Sequence, residues 1–167
     1  MRKEFYEILI NSSVDGILAF DRECRYILWN PAMELMSGIG HEEVLGRCAF
    51  DVFPFLKETG EDRFFLEALK GESNITHNRP YTVERTGREG FYEGHYSPLY
   101  DADGEIIGGF AIIREITQRM RAESLLRENE KRYRDLVENS LGLMSTHDMQ
   151  GVLLSVNRAA ANMLGYR

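Results

Sequence analysis

The chain has 167 residues, 43% of them hydrophobic and 28% charged, with a formal net charge of −7. That length suits one full domain with chain to spare, and the apolar share supports a packed core, so wholesale disorder is excluded. The acidic balance argues against a nucleic-acid partner, which would select a basic face, and no apolar stretch reaches the length of a membrane span or opens the chain as a secretory signal.

Residues 2–12 read as a short helix, with Phe5, Ile8, Leu9 and Ser12 at helical spacing. Gly16–Phe20 and Arg25–Trp29 read as two strands of a hairpin around the turn Asp21–Cys24. Asn30-Pro31 is the sharpest local signal: asparagine caps a helix by accepting a backbone N–H, and proline at the first helical position gives up no needed donor. Gly38 and Gly40 stop that helix, and Glu42-Glu43 favour the start of another turn. Residues 48–58 are aromatic and irregular, and residues 60–70 form a helix with Phe64, Phe65, Ala68 and Leu69 on one face. Three strands follow, Ile75–Arg85, Phe91–Tyr100 and Ile106–Ile113, joined by turns at Thr86–Gly90 and Asp101–Gly104. Pro80 marks the first of them as an edge or bulged strand. The order predicts an α+β fold, one antiparallel sheet covered on one face by short helices.

Charge divides the chain. Residues 1–113 hold 11 basic and 20 acidic side chains, residues 114–140 hold 7 and 6, and the last 27 hold only Arg158, Arg167 and Asp148. Mixed signs at such density predict a solvated helix over 114–140 and a boundary near its start. Ile116, Arg119, Ala122, Leu126, Asn129, Tyr133, Leu136 and Ser140 follow a 3–4 spacing there, a partial coiled-coil seam.

The chain also repeats itself. Residues 4–39 align without gaps on 131–166, and Tyr6, Leu9, Ser13, Asp21, Asn30, Ala32, Met36 and Gly38 recur as Tyr133, Leu136, Ser140, Asp148, Asn157, Ala159, Met163 and Gly165. Residues 131–167 therefore read as the opening of a second copy that lacks the equivalent of 41–113, and a stretch that short cannot bury a full core alone. The expectation is that the 167 residues are a piece of a longer protein.

These segments resemble the PAS domain family: Val14–Asp21 its first strand, Ile27–Ala32 through Gly38 its second strand and first helix, His41–Arg47 its next helix, and Gly109–Thr117 its last strand and exit motif. The family's exit begins with Asp, and here Glu115-Ile116-Thr117 keeps the charge. The resemblance implies a five-stranded antiparallel sheet with short helices on one face and a long connecting helix. It implies domains at 1–117 (sensor with its N-terminal helix), 118–140 (charged coiled-coil linker) and 141–167 (a truncated second copy). It further implies a non-catalytic, cytoplasmic sensory module, as in sensor histidine kinases of two-component systems, in which binding strains the sheet and an exit helix carries the change onward. A homodimer is expected, through the entry helix at 2–12 and the exit helix. The alternatives are a flavin-loaded redox or light sensor, or a ligand-free dimerisation scaffold from a diguanylate cyclase or transcription regulator.

For the pocket, the candidates are Trp29, Phe50, Phe53, Phe65, Leu69, Tyr81, Tyr96, Phe110 and Ile112, drawn from an interior set that also holds Phe55 and Phe64. For signal relay they are Glu115, Ile116, Thr117 and Arg119. Haem is disfavoured, because relatives that bind it place a histidine on the helix matching 60–70, which has none. Flavin stays open, but Gly46-Arg47-Cys48-Ala49-Phe50-Asp51 departs from the light-sensing motif around its adduct cysteine, so Cys48 reads as a packed thiol. Cys24 and Cys48 form no disulfide framework and suit a reducing compartment. His77 and His95 flank one hairpin, yet two histidines without a third ligand make no metal site. No constellation of catalytic residues is visible, and the sequence names no ligand.

Overall fold

The computed structural model describes residues 2–165 and divides after Thr117 into two compact units. The first unit opens with helix α1 (Arg2–Asn11), strands β1 (Gly16–Asp21) and β2 (Tyr26–Trp29), and helix α2 (Pro31–Ser37). Three four-residue helices follow, α3 (His41–Val44), α4 (Ala49–Val52) and α5 (Phe55–Glu58), then α6 (Asp62–Ala68). Strands β3 (Asn74–Val83), β4 (Arg88–Tyr100) and β5 (Ile106–Glu115) complete it. The five strands form one antiparallel sheet in the order β2-β1-β5-β4-β3.

Alternation sorts the strands into two faces. Leu18 and Phe20 on β1, Tyr92 and Tyr96 on β4, and Ala111 and Ile113 on β5 are buried against the helices. Pro80 lies on β3, an edge strand whose register shifts between Thr76 and Arg79, so both expectations for it hold. The hairpin between β3 and β4 turns at residues 84–87, where Gly87 takes a positive φ of 67°, and β4 begins at Arg88, three residues earlier than the sequence suggests. The irregular stretch 48–58 resolves into α4 and α5.

Asn30 works as the cap that its sequence context predicts, and does more. Its Oδ1 accepts from Met33 N at 3.1 Å and Ile17 N at 2.9 Å. Its Nδ2 donates to the Ile10 and Asp15 carbonyls at 3.0 and 3.1 Å. One side chain thus joins the end of α1, the start of β1 and the start of α2. Asp21 closes the first hairpin by accepting from Glu23 N and Arg25 N at 2.9 and 2.8 Å.

The second unit holds helix α7 (Thr117–Glu138, its first residue in the first unit), hairpin strands β6 (Ser145–His147) and β7 (Leu153–Val156), and helix α8 (Arg158–Met163). Ile116 and Ser140, two positions of the expected seam, fall outside the helix, because β5 runs on to Glu115 and the chain leaves helical geometry after Glu138. Asn157 accepts from Met144 N and Ala160 N and donates to the Val137 and Gly142 carbonyls. These are the partners of Asn30 displaced by the sequence offset. Asp148 likewise accepts from Gln150 N and Val152 N, as Asp21 does from its own turn.

Candidate functional site

A cavity of about 50 Å³ lies between the inner face of the sheet and the helices α2, α5 and α6, with Phe53 just after α4. Five of the residues proposed for a pocket line it: Trp29, Phe53, Phe65, Tyr81 and Tyr96. The Trp29 and Phe53 rings stack at 5.6 Å, Tyr26 tilts against Trp29 at 4.8 Å, and Trp29 Nε1 donates to the Ile39 carbonyl at 3.2 Å. Phe50 stands behind the wall, edge-on to Phe65 at 5.5 Å, and Leu69 packs on the core; neither reaches the cavity.

Phe110 and Ile112 correct the sequence reading. They point to the other face of the sheet, where Ile112 is 38% exposed, while Ala111 and Ile113 face inward at 0% and 4%. Size misled: on β5 the inward places next to Phe20 are taken by Gly109 and Ala111. A Cβ on Gly109 would come within 2.4 Å of the Phe20 ring, so the large residues are displaced to the alternate positions. Sequence reasoning passed over Tyr26, Met33, Tyr92 and Ile113, which also line the cavity. The spacing of Tyr92 and Tyr96 around Gly94, all on one parity, was the available signal.

One edge of the cavity is polar. Tyr92 donates to Glu61 Oε2 at 2.9 Å, and Glu61, itself wholly buried, pairs with the Arg79 guanidinium through its other oxygen. Burial is the main reason that the hydroxyls of Tyr26, Tyr92 and Tyr96 are held protonated far above the ordinary tyrosine range. The Glu61 charge adds to this at Tyr92 and Tyr96. No sequence motif announced Glu61; a carboxylate at the entry to an amphipathic helix usually faces water.

Beyond the aromatic wall lies a second pocket of about 580 Å³, rimmed by Arg47, Asp51, Glu58, Glu84 and Arg85. Phe53, Phe55, Tyr81 and Val83 line both spaces.

The relay candidates sit at the junction where the sheet ends. Glu115 Oε1 accepts from Thr117 N at 3.0 Å, and Thr117 Oγ1 accepts from Phe91 N at 2.8 Å. Ile116 is buried, and its N–H donates to the Phe91 carbonyl at 2.9 Å. Gly90 makes room for this: a Cβ there would lie 2.1 Å from Thr117 Oγ1. Arg119 lies on α7 with its guanidinium 3.8 Å from Glu123.

Other candidate chemistry disperses. His77 stands 3.7 Å from Glu93, and His95 pairs across the sheet with Ile75 and Ile112. Among the described residues no three His, Cys, Asp or Glu side chains gather as a metal site. A flavin does not fit the cavity as it stands, since pockets for molecules of that class run to about 300–1,000 Å³. No helix among the described residues is long and apolar enough to cross a membrane.

Comparison with known proteins agrees with this geometry. A family model described as "PAS fold" matches residues 10–121, and one described as "PAS domain" matches residues 131–167. The chain is 23% identical over 167 residues to sporulation kinase E of Bacillus subtilis, covering 98% of this chain and 21% of that protein. It is 23% identical over 127 residues to the signal transduction histidine-protein kinase AtoS of Escherichia coli, covering 75% of this chain and 20% of that one. It thus spans about a fifth of the length of these curated relatives. The crystal structure of the PAS domain of a protein from Colwellia psychrerythraea superposes with a TM-score of 0.57 at 19% identity, over 71% of this chain and 99% of that one. That likeness bears on the fold alone. On the sheet order, the helices over one face and the family match across most of its length, the chain belongs to the PAS family, whose domains are in general sensory modules and not catalysts.

Proposed function

We propose that this chain is the ligand-sensing segment of a larger signalling protein of the sensor histidine kinase type, working in the cytoplasm as a homodimer and performing no catalysis itself. Residues 1–117 are the sensor, 118–140 the connecting helix, and 141–167 the start of a second, partial copy. In support of the last, the hydrogen bonds of Asn157 and Asp148 repeat those of Asn30 and Asp21 group for group.

The observation that carries the sensing role is the adjacency of cavity and exit. Tyr92 lines the cavity, and its neighbour Phe91 holds both Thr117 Oγ1 and Ile116 N through its backbone. A ligand that displaces the Tyr92 ring moves the strand that anchors the start of α7, and the two-state element is then the Gly90–Thr117 contact. Relay residues are Glu115, Ile116 and Thr117, with Arg119 on the first turn of α7. Dimerisation through α1 and α7 is supported by their uncovered apolar side chains, Phe5, Ile8 and Leu9 on one and Leu126, Tyr133 and Leu136 on the other.

Trp29 is the single tryptophan and lines the cavity, so its emission reports occupancy. Compounds that shift it should also change hydrogen exchange at the amides of residues 115–121. A ligand that moves the Trp29 signal and leaves those amides untouched defeats the relay; a broad set of small metabolites that moves neither emission nor thermal midpoint defeats the ligand role and leaves a scaffold.

A further inference from the structure

We propose that the second pocket is a docking groove for a short extended peptide, which adds an antiparallel strand to the edge of β3. The peptide carries apolar side chains at alternate positions and a lysine or arginine at each end. This partner is separate from ligand sensing and does not depend on the cavity. The first support is the backbone of the edge. Phe91 on β4 turns its N–H to Thr117 Oγ1 and its C=O to Ile116 N, both on the β5 side. Pro80 pairs with Phe91 and Thr82 with Glu89, so alternation turns the Pro80 C=O and both backbone groups of Thr82 away from β4. β3 ends the sheet, and among the described residues no other strand pairs with that edge. A row of such groups is a template for an incoming strand.

The second support is the pocket beside that edge. Its lining runs along β3 from Pro80 to Arg85 and also holds Val52, Phe53, Pro54 and Phe55. A peptide residue paired with Thr82 has its side chain on the Thr82 face. Its two neighbours then fall beside Tyr81 and Val83, on the face where the apolar lining lies. Two arginines set the length. Arg79 reaches Glu61 and the Thr59 carbonyl, and Arg85 reaches Glu43, so β3 is tied to the helical layer on either side of residues 80–84. Before Arg79 the register shifts, and Asn78 takes a positive φ of 51°. An edge of ~17 Å that ends at a bulge and lacks the Pro80 N–H favours one short peptide over the whole edge of a second copy.

The third support is charge. The rim carries Asp51, Glu58 and Glu84 against Arg47 and Arg85, and Arg85 is already paired with Glu43. Among the described residues the side chains of Asp51, Glu58, Glu84 and Arg47 have no partner, so three unpaired carboxylates stand against one guanidinium. A peptide lysine two residues from the one paired with Thr82 lies across from Glu84, where opposite charge is favoured and like charge is not. A basic segment therefore fits this groove and an acidic one does not.

The test is an NMR titration of the full chain with acetyl-Lys-Val-Thr-Val-Lys-amide. Two controls accompany it, the Glu-Val-Thr-Val-Glu counterpart and the lysine peptide N-methylated at its threonine. At ~1 mM the lysine peptide should shift the Thr82 and Glu84 amides and slow hydrogen exchange at Thr82. Both controls should bind at least about tenfold more weakly, one through lost charge pairing and the other through the lost donor to the Thr82 carbonyl. Thr82→Pro removes only an outward N–H, as Pro80 already does, and should weaken the lysine peptide by a similar factor while Trp29 emission stays unchanged. The N-methylated peptide makes the same comparison on the unaltered chain, should that variant fail to fold. Equal affinity of the methylated peptide refutes strand addition, and equal affinity of the glutamate peptide refutes a basic partner. Amides at residues 80–84 that no peptide moves overturn the proposal. So does exchange at Thr82 that slows with protein concentration alone, which would mean that a second copy covers the edge.

Discussion

Asn30 offers a sharp test of how the first unit is held together. Asn30→Ala would remove four hydrogen bonds and strand two N–H groups and two carbonyls. At roughly 0.5–1.5 kcal/mol for each bond, the loss is about 2–6 kcal/mol, a large share of the 5–15 kcal/mol of an ordinary domain. Asn30→Asp is more telling, because aspartate is as good a helix cap as asparagine. If capping were all, that substitution would be silent. Instead the new carboxylate oxygen would face the Ile10 and Asp15 carbonyl oxygens from about the positions where Nδ2 now stands, 3.0 and 3.1 Å away, at a site 1% exposed.

We therefore expect Asn30→Asp to cost at least ~3 kcal/mol near neutral pH, an unpaired buried charge added to two lost donors. The sign of the pH dependence follows. Burial and the two carbonyls disfavour the ionised form, so the folded pKa of the introduced carboxyl is raised above its unfolded value of about 3.9. The penalty is then full above the folded pKa and shrinks as pH falls toward the unfolded one, since the protonated acid can donate to one carbonyl. Urea unfolding of the variant and the unaltered chain at pH 7.5 and 4.5 measures it. With a slope of about 1–3 kcal/mol per molar, the midpoint should drop by ~1 M or more at the higher pH and by less at the lower. A variant within ~0.5 kcal/mol of the unaltered chain at pH 7.5, or a deficit that grows on acidification, refutes the reasoning.

Three further outcomes are expected. Gly90→Ala should destabilise by about 1–3 kcal/mol and speed hydrogen exchange at Phe91, because its Cβ displaces Thr117 Oγ1 from the Phe91 N–H; unchanged exchange there would show that the junction tolerates the methyl. Glu34 is held below the usual carboxylate range first by the backbone N–H of His41 at 2.7 Å and next by the His41 ring, so His41→Ala should return its pKa only part of the way in a carbon-detected titration. Stability linked to that depressed pKa is present above the unfolded value and lost as pH falls through the folded one, and it is small because the group is partly open to solvent; complete return of the pKa in His41→Ala would contradict the order of causes. Burial, then the nearby Cys48, push the Cys24 thiol up to about 11. At pH 8 its thiolate is on the order of one part in a thousand, so iodoacetamide should label Cys24 at least ~100-fold faster in urea than in the folded chain, by mass spectrometry. Equal rates would mean the thiol is neither buried nor shifted.

The backbone devices were legible because each depends on a residue type at a fixed offset. Asn before Pro, Asp at the head of a turn, and Pro on a strand all restrict local geometry strongly enough for tertiary context to leave them in place. The cavity wall was less legible. Aromatic size pointed to Phe110, yet the sheet needs Gly109 and Ala111 beside Phe20, and alternation then sends Phe110 outward. Tyr26 was hidden by the bulge between Ala19 and Phe20, which resets the parity of β2 against β1. Glu61 could not be read at all, since its burial depends on Arg79 reaching back from an irregular stretch of a strand 18 residues later.

Gly16 at the head of β1 lies opposite Ile113 near the foot of β5. Entry and departure are therefore neighbouring threads in the middle of the weave, about 4.8 Å apart. A domain wired in this way behaves as a cassette: it can be spliced into a pre-existing rod, or copied in series, without rerouting the chain on either side. Evolution by tandem duplication then demands little beyond a join at the two helix stubs.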